Sequence, residues 1–445
     1  MESILSNIAQ QPLFGVGIAG LLIPLIIVCI KIGREIYWMG TIEFVKGWAV
    51  FGVVLVLGLI GLSYWAATYE APSSNKIAIV VGNTQNTPQA KISGEAKKVL
   101  KNIMLKHAGD KGDDNGMQIS IIEADGDPYV VDWDSSVLKS ISENSKNAEI
   151  DVKKNIDALN KQIANIKPKT SGANYLEAIL RANDELSSVS EDDDESGSSS
   201  KSANSILVIG SGLSDSGDLS FVGTNLLTNK DEAAENSAIE AAAEDHEGEL
   251  KNTKVTFYGL GDVVLPQKNL SSSQREGVRN IYTKLIEKLG GKAEAAKASL
   301  RGSSVDTPYT VNPTDTGCGD VELTYDDSKL KFNTNQASFV SASDAAKIAD
   351  QIVGVYNQNK DRVKAIVVDG YIAHRQTSNT NLSADRANAM KDLLIERGLT
   401  PDKITANGKG NGPYEYSDSE SQDITDQRNR MIKVTIQRDS QECRD

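Results

Sequence analysis

The chain has 445 residues, more than one hydrophobic core ordinarily serves, so two or three folded units are expected. A formal net charge of −14 makes nucleic acid and anionic lipid headgroups poor partners, because such a surface repels them. Three His and three Cys, scattered and without a CxxC, HExxH or His-rich tract, leave little material for a zinc enzyme.

Leu13 to Ile30 is uncharged, apolar and long enough to cross the hydrocarbon core as a helix, with Pro24 expected to kink it. A cleaved signal peptide fits this run poorly, since Glu2 is the only charge before it. Trp48 to Tyr69 is a second uncharged run, with Trp48 at one end and Tyr64, Trp65 and Tyr69 at the other, as in interfacial aromatic belts. The basic residues Lys31, Arg34 and Lys46 all lie between the runs, which puts the connector in the cytoplasm. The expectation is a two-pass transmembrane hairpin over 1–70 that fixes the chain in the bilayer of the cell membrane. Everything after it then lies outside the cytoplasm. Neither run carries an ionisable side chain, so the hairpin can anchor but is a poor carrier of protons.

From 75 to 302 strands and helices alternate. Lys76–Val81, Ser205–Ile209 and Lys254–Tyr258 are short apolar runs that read as buried strands of a parallel sheet. Gln118–Ile122 and Tyr129–Val131 read as strands around the turn Asp125–Pro128. Helices are expected at Lys91–His107, Asp151–Ile166, Asn174–Leu186 and Gln274–Lys288. This alternation predicts a doubly wound α/β fold. It is interrupted at 187–204 by a Ser- and acid-rich stretch that can bury nothing and reads as a disordered acidic insert.

Ligands of doubly wound sheets bind outside the carboxyl ends of the strands. The loops there are Gly82–Thr87, Thr170–Tyr175 and Gly210–Asp215. Together they resemble the metal-site loops of von Willebrand A domains, which implies a recognition domain for a protein partner. The resemblance also implies a degenerate magnesium site made of Asn83, Thr84, Asn86, Thr170 and Ser211; no other cofactor is expected. Those side chains are neutral where a divalent ion prefers carboxylates, so the alternative is a hydrogen-bonded set of polar loops.

Residues 303–319 are rich in Gly, Ser, Thr and Pro and read as a linker. A second α/β unit is expected over 320–438, followed by a tail, 439–445. Its strands are expected at Val321–Tyr325, Lys329–Phe332, Val363–Asp369, Lys403–Ala406 and Met431–Ile436, and its helices at Ala342–Tyr356 and Leu382–Arg397. Cys318 and Cys443 flank this unit, and a disulfide between them is expected in an oxidising exterior.

Asn381–Ala387, Arg397–Leu399, Gly408–Gly410 and Arg428–Arg430, in that order, resemble the OmpA-like domain found at the C-termini of OmpA and MotB. The resemblance implies non-catalytic binding of the peptide part of peptidoglycan, with Arg386, Asn381, Ser383, Tyr371 and Arg430 as ligand-binding residues. A helical wheel places Arg386 in the middle of an apolar face with Leu382, Ala389 and Leu393. A guanidinium there needs either a ligand carboxylate or an internal pair, with Asp369 or Asp385 as candidates. The family has Gly-His/Tyr-Thr-Asp before this helix, whereas this chain has Gly370, Tyr371, Ile372 and Ala373. The Asp that would face a ligand ammonium is therefore Ala373. No Ser–His pair or Gly-x-Ser-x-Gly stands out, so the chain is read as a non-enzymatic envelope protein binding cell wall, protein partners or both. The alternative is an accessory subunit of an ion-driven membrane motor or transport complex.

Overall fold

The computed structural model describes residues 73–106, 108, 118–188, 203–224, 226–228, 232–297, 299–317, 319–358, 360–374, 381–418 and 420–439. The hairpin expected over 1–70, most of the acidic insert, and both Cys318 and Cys443 lie outside them. Among the described residues no helix is long and apolar enough to cross a membrane. Ser73–Asp445 form one compact unit containing a six-stranded and a four-stranded sheet.

The six-stranded sheet comprises β1 (Ser73–Val81), β2 (Gln118–Glu123), β3 (Tyr129–Val130), β4 (Ala203–Ile209), β5 (Thr253–Tyr258) and β6 (Lys292–Ala295). Their order is β3-β2-β1-β4-β5-β6, parallel except for β3. Its helices are α1 (Gly94–Lys106), α2 (Ser145–Asn165), α3 (Tyr175–Ser188), α4 (Glu232–Ala243) and α5 (Ser272–Lys288). Side chains alternate across a strand, and β1 is buried on both faces. Ile77, Ile79 and Val81 pack with α1 and α2, while Ala78 and Val80 pack with α3, α4 and α5. That is why its apolar run is continuous. Local caps fix helix starts that periodicity misplaces. Asn144 accepts the Lys146 N–H, so α2 begins at Ser145 rather than Asp151, and Ser271 with Gln274 forms a capping box for α5.

The four-stranded sheet comprises β7 (Val321–Tyr325), β8 (Val363–Ile372), β9 (Ile404–Asn411) and β10 (Ile432–Arg438), in the order β7-β10-β8-β9. Only β8 and β9 run parallel. Helices α6 (Ala342–Gln358) and α7 (Leu382–Glu396) share its core, and the short α8 (Gln422–Asn429) precedes β10. Lys329–Phe332 is not a strand. It belongs to a looped segment whose one ladder-like contact is a bridge between Phe332 and Phe339. The buried face of α7 is Leu382, Ser383, Arg386, Ala387, Met390 and Leu394, so Ala389 and Leu393 are only half-buried.

The stretch expected as a linker joins the two lobes and is itself packed. Val305, Val311, Asn312, Thr314 and Asp315 are buried. Arg438 at the end of β10 grips Asp315 with two nitrogens at 2.7 and 3.1 Å and donates to the Gly319 carbonyl at 2.6 Å. The lobes also meet directly. Val222, in the loop after β4, lies in the core of the four-stranded lobe, and Gly223 touches Gly354 of α6.

Candidate functional site

Gly370 on β8 and Gly408 on β9 are register partners. A side chain at Gly370 would meet the Ser383 carbonyl, and one at Gly408 the Ala384 amide. The two glycines therefore let the first turn of α7 rest directly on the sheet. Buried Ser383 secures the contact by accepting the Gly410 N–H at 3.1 Å. One helical turn on, Arg386 is 2% exposed.

The Arg386 Nε donates to the Gln336 carbonyl at 3.1 Å, and the guanidinium carbon lies 4.8 Å from the centre of the Phe332 ring. Arg430 is near, but its own guanidinium pairs with Asp327 at 2.9 Å. Among the described residues no carboxylate pairs with Arg386, and its terminal nitrogens have no hydrogen-bond partner. Burial pushes its pKa down; Asp327 opposes this and Arg430 adds to it. The internal pairs that the sequence left open are not formed. Asp369 accepts from Asn407 at 2.9 Å and pairs with Lys409 at 3.5 Å, and Asp385 is exposed. A largely buried cation without a salt bridge is electrostatically suited to an incoming carboxylate.

Of the other expected ligand residues, Arg430 joins this cluster through Asp327. Ser383 is committed to holding α7 on β9. Tyr371 follows Gly370 on β8, so its side chain points to the opposite face of the sheet from α7. Asn381 is exposed immediately before α7, and its carbonyl accepts the Asp385 N–H at 2.8 Å. Ala373 is buried. Phe332, Gln336 and Asp327 are site residues that sequence reasoning misses; they arrive on the looped segment of which Lys329–Phe332 reads as a strand.

Residues 331–430 match the model of the OmpA family. The OmpA-like match takes in Phe332, Gln336, Arg386 and Arg430 and leaves the six-stranded lobe outside it. Among solved structures, the periplasmic domain of Helicobacter pylori MotB is 18% identical, covering 27% of this chain and 85% of that one, with a TM-score of 0.23. An OmpA-like domain from Francisella tularensis is 24% identical over 28% of this chain and 79% of its own, with a TM-score of 0.22. The cell wall anchor of the T6SS from Pseudomonas aeruginosa is 18% identical over 28% and 86%, with a TM-score of 0.23. No curated protein matches the chain.

At the carboxyl end of the six-stranded sheet, β1 and β4 lie side by side while their connections run to opposite directions of the sheet. Such a switch point forms a crevice. Here the Tyr175 hydroxyl fills it: a Cβ at either Gly82 or Gly210 would overlap that oxygen. The Ser211 N–H donates to Tyr175 at 3.1 Å, and the Ser211 and Thr87 hydroxyls are 2.8 Å apart. Thr84 donates to Asn86 at 3.0 Å. Asn83 turns away, donating to the Ile163 and Ile166 carbonyls at the end of α2. Thr170 is elsewhere, accepting the Asp127 N–H at 3.0 Å. The structure thus gathers Thr84, Asn86 and Ser211 but not Thr170, and Asn83 faces the helix. These oxygens are neutral, buried and spent on one another, so the set does not fit a magnesium ion, which needs hard, largely charged oxygen ligands.

Two acids stand beside this network. Glu123 is fully buried; its Oε1 accepts the Asn83 N–H at 2.9 Å while Oε2 has no partner. Burial, reinforced by the charge of Asp125, raises its pKa well above the ordinary carboxylate range. Asp125 accepts the N–H groups of Lys169 and Thr170 at 2.7 and 3.0 Å, and burial raises its pKa as well.

Proposed function

We propose that this chain is a non-enzymatic cell-envelope protein whose four-stranded lobe binds the peptide part of peptidoglycan, with Arg386 receiving a ligand carboxylate. The observation that carries this reading is an arginine 2% exposed, backed by an aromatic ring and without a salt bridge, the nearby Asp327 being paired with Arg430. The OmpA family match over the same residues supports it. Ala373 stands where the family pattern has its Asp, so the ligand is recognised through its carboxylate rather than through a zwitterionic pair. In this reading the six-stranded lobe is von Willebrand A-like, supported by the order β3-β2-β1-β4-β5-β6 with β3 antiparallel. The hairpin over 1–70 anchors the chain in the membrane with both lobes outside the cytoplasm.

The test is calorimetric titration of the chain with a stem peptide bearing a free C-terminal carboxylate, and with its C-terminal amide. The charge-assisted hydrogen bonds at stake are worth about 1.5–3 kcal/mol, so the amide should bind at least about tenfold more weakly. Equal affinity for both forms, or no binding of either, rejects Arg386 as a carboxylate receptor.

A further inference from the structure

The crevice outside the carboxyl ends of an open α/β sheet is where such folds take their ligands. In this chain that pole is covered from within. Residues 303–317 run across it. The Gly172 N–H donates to the Thr310 carbonyl at 2.8 Å, and the Thr310 N–H to the Ser171 hydroxyl at 3.1 Å. The Thr314 N–H donates to Gln267 at 2.7 Å. The four-stranded lobe then sits on the same loops. Ser171 donates to Asp326 at 2.6 Å, and Gln351 of α6 donates to the Asp215 carbonyl at 3.0 Å.

At the centre is one charge pair. The Asp215 carboxylate accepts the N–H groups of Ala173 and Asn312 at 2.8 and 2.7 Å. Its counter-charge is the ammonium of Lys329, which comes from the other lobe. The two side chains are 1% and 12% exposed, so solvent screens the pair little. The neutral network around Tyr175 does not fit a metal ion, and the ammonium supplies the positive charge that Asp215 needs.

We propose that the carboxyl pole of the six-stranded sheet is a metal-independent docking face for the chain's own four-stranded lobe, keyed by Lys329 on Asp215. While that key is in place the pole receives no outside partner. A protein that binds the six-stranded lobe there must displace Lys329; one that does not must use another face. This inference stands apart from wall binding at Arg386, which could fail without affecting it.

The test is hydrogen exchange across 303–317 in the full chain, comparing wild type with Lys329→Met, Asp215→Asn and the double variant. Removing one partner leaves a buried uncompensated charge, whereas removing both does not. Each single variant should therefore exchange about tenfold faster or more in this segment, and the double variant should be less affected than the sum of the two. A chelator or added magnesium should leave wild-type exchange unchanged. Wild-type exchange rates in Lys329→Met, additive effects in the double variant, or a chelator that accelerates exchange would each overturn the proposal. Should Lys329→Met fail to fold, Lys329→Arg decides: retained protection supports a charge key, and lost protection rejects it.

Discussion

At the scale of single residues, the two lobes place buried charge in opposite ways. Arg386 is a cation held by a carbonyl and an aromatic ring with no carboxylate bridged to it, which suits a ligand. Glu123 is an acid with one carboxylate oxygen bonded to a backbone N–H and the other left unpaired, and burial favours its neutral form. Because its folded pKa lies above the unfolded value, its contribution to stability is fully present below the unfolded pKa. That contribution is lost as pH rises through the folded pKa. Glu123→Gln is neutral at every pH and keeps an acceptor for the Asn83 N–H. The variant should therefore melt higher than wild type at neutral pH, with the gap closing as pH falls toward about 4, the ordinary Glu range. Thermal melts at several pH values check this, and a gap independent of pH would contradict it.

At the scale of elements, close approach decides what periodicity alone cannot. The apolar runs of β1, β4 and β5 are legible because both faces are buried, and the amphipathic stripe of α6 is legible for the usual helical reason. β6 is not legible because its exposed residues alternate with half-buried ones along a four-residue edge strand. α4 is not legible because its buried face is only Ile239, Ala242 and Ala243 in an Ala- and Glu-rich run. Leu330 and Phe332 mimic the two-residue period of a strand, but the preceding Asp326 turn carries them into a loop. The position of Arg386 on the buried face of α7 was legible; its partners Phe332 and Gln336 were not, because that loop delivers them from about fifty residues away. The seam between α6 and the loop after β4 gives the prediction at this scale. Ala is normally better than Gly in a helix by about 1 kcal/mol. At Gly354, however, a methyl would overlap the Gly223 carbonyl, a backbone group that cannot rotate away. Overpacking of this kind costs about 1–3 kcal/mol, so Gly354→Ala should lower the melting temperature by a few degrees. A rise would mean that the seam is slack.

At the scale of the whole molecule, the sequence separates two α/β lobes but conceals that they share a packed junction. The joining stretch lacks periodicity because its hydrogen bonds go to loops far away in sequence, as Asn312 and Asp215, 97 residues apart, illustrate. The loop from Asp326 to Gln336 serves both places, reaching Ser171 and Asp215 at the junction and Arg430 and Arg386 at the candidate site. Wall binding through Arg386 is measured by cosedimentation of the chain with purified peptidoglycan sacculi. Arg386→Met removes the charge while keeping an apolar filler, so the variant should melt no lower than wild type. Wild-type protein should pellet with sacculi while Arg386→Met stays in the supernatant. A folded variant that pellets as fully as wild type, or wild-type protein that never pellets, would rule out wall binding through Arg386.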